Sequence, residues 1–183
     1  MNTMRTRDLA VCAMIAALYT ALCLALAPLS FGPVQVRVAE ALTLLPVFSP
    51  LGVWGVTLGC GVSNLVGFVT GANMIGYFDI LFGTAATLAA ALLSRRLRHI
   101  RIGGLPVLSS IPPVLVNAVV VGAELTVMLT GGFDWKVFLT QALAVGVGQL
   151  ISCVGLGLLL TYVLQRTGVA QRCFGSDKIR AQS

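Results

Sequence analysis

Four stretches of this sequence, Leu9 to Ala27, Leu51 to Val69, Gly76 to Leu93 and Val137 to Leu164, are long and almost free of charge. A helix needs about 20 predominantly apolar residues to cross the hydrocarbon core of a bilayer. Each stretch meets that length, and this constrains the chain more than any other feature. The whole 183-residue sequence holds only 12 Lys and Arg and 6 Asp and Glu, with 57 % hydrophobic residues and a mean hydropathy of +0.96. So few charges cannot cover a soluble globule, and disorder needs the opposite composition. The chain therefore reads as an all-α, polytopic membrane protein forming one membrane domain over 1–183.

Six spans are predicted, at about 9–27, 34–48, 51–69, 76–93, 113–129 and 137–164. The first resembles a signal peptide, with Ala25-Leu26-Ala27 as a cleavage site. It exceeds the usual 7–15-residue core, and Pro28 would follow the cut, so it reads as a retained span. The second is too short alone and has to borrow residues from the preceding loop. Pro112 and Pro113 suit a helix start, and the long sixth run is free to tilt or protrude.

Positive charge orients the set. Ten of the twelve cations fall at three places: Arg5 and Arg7; Arg95, Arg96, Arg98 and Arg101; and Arg166, Arg172, Lys178 and Arg180. With six spans all three places share one side, which predicts cytoplasmic termini and a cytoplasmic basic loop over 94–105, with a tail over 165–183. The expected location is the cell membrane. The net charge of +6 then marks topology, not a nucleic-acid partner.

Polar residues within the spans carry the functional signal, because an intramembrane carboxylate costs at least a few kcal/mol and by default faces a cavity or a partner. Rising about 1.5 Å per residue, Glu40 and Asp79 lie roughly 5 Å from their helix ends, Asn64 about 9 Å and Glu124 about 10 Å. All four fall in the outer half of the bundle, on different helices, and Asn117 lies deeper. Arg37 is the one cation at that level, so three carboxylates leave acceptors unmatched. This predicts an outward pocket for a small ligand rich in N–H donors. Local roles stay open beside it. Arg37 and Glu40 have pairing spacing, Asp79 is placed to stabilise a helix start, and Asn64 and Asn117 suit interhelical hydrogen bonds.

Two stripes of small residues repeat at every fourth position: Ala13, Ala17, Ala21 and Ala25 in the first span, and Gly55, Gly59, Ser63 and Gly67 in the third. Such faces let helices approach closely. Enzymatic signatures are missing. The two lysines follow Trp135 and Asp177, so no GxxxxGK[ST] loop exists, and neither HExxH nor GxSxG occurs. Cys12, Cys23, Cys60, Cys153 and Cys173 form no CxxC pair, and no Cys/His cluster suits zinc. The chain reads as a non-enzyme without a metal.

The stretch FGPVQVRVAEALTLLP at 31–46 resembles the signature of the QueT family. LGCGVSNLVG at 58–67 and GYFDILFGTAATLAAALL at 76–93 are similar to further family segments. These are substrate-binding S components of energy-coupling factor (ECF) transporters, associated with queuosine precursors. The resemblance implies a six-helix S-component bundle binding a 7-deazaguanine such as preQ0, preQ1 or queuine near the outer face. It implies docking on an ECF transmembrane coupling subunit driven by two ATPase subunits, so this chain needs no cofactor. In such families the docking face is an alanine stripe on the first helix, here Ala13, Ala17 and Ala21. A carboxylate accepts from the N1–H and exocyclic amine of a guanine-like edge, and a second suits an ammonium. Glu40 and Glu124 are expected in these two roles, in an unassigned order. Arg37 and Asn117 are expected to donate to the carbonyl oxygen, with Gln35 and Asp79 peripheral and Asn64 also in the site. Alternatives remain: an S component for another vitamin, a stand-alone proton- or cation-coupled transporter, and, in a different class, a membrane enzyme or a non-transporting assembly subunit.

Overall fold

The computed structural model describes residues 6–31, 36–73 and 75–174. Among these the regular structure is helical, apart from one isolated bridge between Ile102 and Leu105. Helix α1 (Thr6–Ala25) buries Val11, Cys12, Ile15, Tyr19 and Cys23 along one face. Their spacing of mostly three and four residues is the helical period, so they form one stripe. Ala13, Met14, Ala17, Leu18 and Ala21 lie exposed on the other side. A single-turn helix α2 (Ala27–Ser30) follows, begun by Pro28.

Helix α3 (Pro50–Val69) packs on α1. Ser49 caps it, its Oγ accepting from the Leu51 N–H, and Pro50 occupies the first turn, where no N–H is needed. The glycine stripe of α3 is the seam of this pair. A Cβ on Gly55 would stand 2.7 Å from Ile15 Cβ, and one on Gly59 would stand 2.7 Å from Tyr19 Cβ. The third-span stripe therefore serves packing within the bundle. Gly52 faces the backbone of the preceding helix instead, and its Cβ would lie 2.6 Å from both Leu45 C and Pro46 N. Backbone cannot rotate aside, so Gly52→Ala is expected to lower stability by about 1–3 kcal/mol or more through overpacking. Thermal unfolding in detergent measures this, and an unchanged midpoint would contradict the packing described.

Helix α4 (Tyr77–Arg96) packs on α3, and helix α5 (Ile111–Thr130) on α4. Between α4 and α5 the basic segment makes a tight turn at Gly103 and Gly104 (φ +60° and +82°), a backbone region open to glycine. A short 3₁₀ turn (Val107–Ser110) then leads into the two prolines that open α5. Asp134 caps α6 (Trp135–Gln149), accepting from the N–H groups of Lys136 and Val137. The helix passes through a π segment (Leu150–Leu156) into α7 (Gly157–Arg166) and the short α8 (Val169–Phe174).

Among the described residues, five helical stretches are long and apolar enough to cross a membrane: Thr6–Ala25, Pro50–Val69, Tyr77–Arg96, Val107–Thr130 and Trp135–Arg166. Their outward residues include Leu81, Leu115, Leu143 and Leu159, all well over half exposed. Apolar surface this continuous suits lipid rather than water. The molecule is a helical membrane bundle.

The predicted second span at 34–48 differs in form from the α-helix expected. Its described part is a ten-residue 3₁₀ helix, Val38–Val47, and not a membrane-length α-helix. Residues Ala39 to Val47 are all buried, enclosed by α1, α3, α4, α7 and the π segment. Non-α backbone is tolerated at membrane depth when protein surrounds it, and Pro46 further disfavours a regular helix. At about 2.0 Å per residue, ten residues advance roughly 20 Å, more than an α-helix would give. Arg37 at its start reaches Asp79 in the first turn of α4. At its other end the Pro46 carbonyl accepts from Arg95 Nη1 at 2.8 Å, in the last turn of α4. The short helix thus runs alongside α4 from one end to the other.

Candidate ligand site

Arg37 precedes the 3₁₀ helix in an extended conformation (φ −82°, ψ 95°). That backbone sends its side chain away from Glu40 and toward α4. The i,i+3 pair with Glu40 therefore does not form. Arg37 Nη2 instead pairs with Asp79 Oδ2 at 2.5 Å, with the two side chains 3 % and 0 % exposed. Arg37 Nε donates to the Ser30 carbonyl at 3.1 Å, and its guanidinium lies 5.4 Å from the Phe31 ring centroid. These contacts tie the start of the 3₁₀ helix to both α2 and α4.

Asp79 is the hub of this end of the bundle. Its Oδ2 also accepts from Asn73 Nδ2 at 2.9 Å, and its backbone carbonyl accepts from Asn64 Nδ2 at 2.7 Å. Asn64 is thus an interhelical hydrogen bonder between α3 and α4. Asp79 does more than stabilise a helix start, because its carboxylate is spent on Arg37 and Asn73. Gly83, one turn later, leaves room for it. A Cβ there would fall 1.8 Å from Asp79 Oδ1.

Glu40 lies fully buried on the 3₁₀ helix. The Tyr19 hydroxyl donates to its Oε1 at 2.5 Å. The Asn117 amide lies beside the carboxylate, yet Oε2 has no hydrogen-bond partner among the described residues. Behind it the Glu40 carbonyl accepts from Thr43 Oγ1 at 2.6 Å and meets Cys153 Sγ at 3.6 Å. Cys153 Sγ also lies 3.2 Å from Gln149 Oε1. The π segment therefore backs the 3₁₀ helix directly under Glu40. Such bulges recur at functional sites.

Glu124 stands apart on α5. It belongs to the wall of an open groove of about 730 Å³ between α4 and α5, with the exposed rings of Tyr77, Phe78 and Phe82 on the α4 side. Small-molecule sites typically span about 300–1,000 Å³ with apolar walls and a few placed polar groups. Glu124 is the acidic residue of this wall, and neither of its carboxyl oxygens has a hydrogen-bond partner among the described residues.

The structure thus gathers Arg37, Asn64 and Asp79 into one bonded cluster, with Glu40 and Asn117 beside it and Glu124 on a neighbouring wall. Gln35 lies outside the described residues. Buried acceptors without donors remain among the described residues at Glu40 Oε2, Asn64 Oδ1, Asp79 Oδ1 and both oxygens of Glu124. Leaving one such group unpaired costs about 1–3 kcal/mol. A ligand that brings N–H donors recovers part of that cost. Among the described residues no group of three His, Cys, Asp or Glu converges to hold a metal ion.

Two contributors escaped the sequence reading. Tyr19 holds Glu40, and its place on the buried stripe of α1 carried the signal, since a buried tyrosine hydroxyl needs a partner. Asn73 holds Asp79 from a loop and also orders that loop, its Oδ1 accepting from the Ile75 N–H at 3.0 Å. No periodic pattern marks a loop residue.

A family model described as QueT transporter matches residues 9–166 of this chain. The chain is also similar to the Queuosine precursor transporter QueT of Lactococcus lactis subsp. cremoris (strain MG1363), 33 % identical over 90 residues. That alignment covers 48 % of this chain and 49 % of the relative, so it spans about half the length of the curated protein it matches. No solved structure matches the chain.

Proposed function

This chain belongs to the QueT transporter family, and from that membership we propose that it is the substrate-binding membrane subunit of an ATP-driven importer of a queuosine precursor. The family makes it a transport protein and not an enzyme. The observation that carries the substrate reading is the set of partnerless buried acceptors on Glu40, Asn64, Asp79 and Glu124. A 7-deazaguanine such as preQ0, preQ1 or queuine presents several N–H donors and one carbonyl acceptor, the complement of such a site. Glu40 and Glu124 are its principal contacts. Asn117 lies beside Glu40 to serve the carbonyl, while Arg37 is already committed to Asp79.

The energy source in this proposal lies outside the chain. An ECF transmembrane coupling subunit and two ATPase subunits supply it, and the chain itself uses no cofactor. The absence of a Gly-Lys phosphate loop from the sequence supports this division. The exposed face of α1 bearing Ala13, Ala17 and Ala21 is the docking surface for the coupling subunit. In this proposal both termini and the basic 94–105 turn face the cytoplasm, a reading supported by the positive charge at those places. The Arg37–Asp79 end then faces outward, where substrate arrives.

Reconstitution in vesicles tests this. Together with a coupling subunit and two ATPases, the chain is expected to accumulate labelled precursor only when ATP is hydrolysed. Uptake by the chain alone, driven by a proton or cation gradient, would overturn the proposal in favour of a self-sufficient transporter. ATP-driven uptake of a different vitamin would correct the substrate.

A further inference from the structure

We infer that Gln149 contacts the ligand beside Glu40 and Asn117, and that its side-chain amide donates to the ring carbonyl of the base. The inference rests on a 7-deazaguanine being the substrate. Gln149 is the last residue of α6 and is only 2 % exposed. It is the one polar side chain in the run Ala142 to Ile151. Enclosing an amide away from water is costly unless its donors and its acceptor find partners. Its acceptor is served, because Oε1 receives the Cys153 thiol at 3.2 Å. Cys153 follows four residues later in the π segment, and its Sγ lies 3.6 Å from the Glu40 carbonyl. The π segment itself packs against both the 3₁₀ helix and α5. Gln149 is thereby held on the inner side of the bundle, next to the turn of the 3₁₀ helix that carries Glu40.

Asn117 arrives at the same place from α5. Helices α5 and α6 are packed neighbours. Asn117 lies fourteen residues before Gly131, which closes α5, and Gln149 fourteen residues after Trp135, which opens α6. The two amides therefore stand at one level. Asn117 is buried too, beside the Glu40 carboxylate. Two buried amides on adjacent helices thus come together at a buried carboxylate whose Oε2 has no hydrogen-bond partner among the described residues.

The chemistry of this set is directional. A carboxylate accepts N–H groups and repels a carbonyl oxygen, while an amide nitrogen donates to one. A guanine-type edge sets a ring N–H beside a carbonyl oxygen with two lone pairs. Glu40 suits the N–H, and the amides of Asn117 and Gln149 suit the lone pairs, one each. Arg37, the other donor-rich side chain at this end, is engaged by Asp79 and Ser30.

Calorimetric titration of 7-deazaguanine and 6-thio-7-deazaguanine into purified wild type, Gln149→Met and Gln149→Asn tests this. The thio analogue keeps every N–H and replaces the carbonyl oxygen with sulfur, a weak acceptor. Methionine fills a similar unbranched volume without a donor. Wild type is expected to favour the oxo ligand by roughly 10-fold or more, the worth of a net hydrogen bond. Gln149→Met is expected to weaken 7-deazaguanine by about 10-fold and to leave the thio analogue nearly unchanged, so that most of the preference disappears. Gln149→Asn keeps an amide and is expected to keep part of the preference with weaker binding. A merely structural role for Gln149 would weaken both ligands alike. That outcome, or a Gln149→Met affinity for 7-deazaguanine within about twofold of wild type, overturns the inference while the transport proposal stands. Equal binding of the two ligands by wild type overturns it without any variant. If wild type binds neither 7-deazaguanine nor its 7-aminomethyl derivative, the substrate proposal fails, and the inference fails with it.

Discussion

Replacing Arg37 with alanine is expected to cost about 3–5 kcal/mol of stability, the range seen when one partner of a buried ion pair is removed. Asp79 would keep only the Asn73 amide on its carboxylate, inside protein and at membrane depth. It cannot swing away to find another donor, because Oδ1 already lies against Gly83. The start of the 3₁₀ helix would also lose its links to the Ser30 carbonyl and the Phe31 ring. The double variant Arg37→Met/Asp79→Leu removes both charges and is expected to recover much of the loss, since apolar replacements of a buried pair are often neutral or better. Unfolding of the detergent-solubilised protein measures both. A single variant within about 1 kcal/mol of wild type would contradict a buried, structure-bearing pair, because that is the worth of an exposed one.

The second large effect concerns transport without binding. Ala17→Trp is expected to abolish ATP-driven uptake and leave precursor affinity unchanged. Ala17 is exposed on α1, between Ala13 and Ala21 and opposite the stripe that contacts the 3₁₀ helix and α3. A large ring there meets no neighbour within the bundle, so folding and the site at Glu40 are untouched. Close helix approach depends on small residues at the contact, and the ring would hold a coupling subunit away. Uptake at the wild-type rate would remove this face of α1 from the proposed docking surface. A parallel loss of binding would show that the variant had damaged the site instead.

Much of the fold was legible because bilayer thickness leaves a plain mark on sequence. The runs at 51–69 and 76–93 became α3 and α4 with boundaries moved by at most a few residues, and the run at 113–129 became α5. The second span was not legible in its true form. A mostly apolar ten-residue run ending near Pro46 specifies burial, but nothing in its spacing separates an α-helix from the more extended 3₁₀ form. The π segment at Leu150–Leu156 was hidden for the same reason, inside a continuous apolar run.

The candidate site was legible in its members and not in its pairings. Intramembrane charge is scarce enough that Arg37, Glu40, Asp79 and Glu124 could be picked out one by one. Which of them meet depends on backbone direction. Arg37 is extended and not helical, so it crosses to Asp79 and leaves Glu40 to Tyr19. Helix depth placed Glu124 at the level of the others, yet depth gives no angle around the axis, and Glu124 stands on the wall of the α4–α5 groove.

The central claim is that the acceptors left bare in this interior belong to a 7-deazaguanine ligand, and a thermal-shift titration with that base tests it most directly. A ligand that binds the folded state alone stabilises it by about 2.7 kcal/mol at 100 times its Kd. The unfolding midpoint of the wild-type protein is therefore predicted to climb steadily with ligand concentration, and that of Glu40→Gln/Glu124→Gln to stay flat. A wild-type midpoint that ignores 7-deazaguanines, or single variants Glu40→Gln and Glu124→Gln that both respond like wild type, would contradict it.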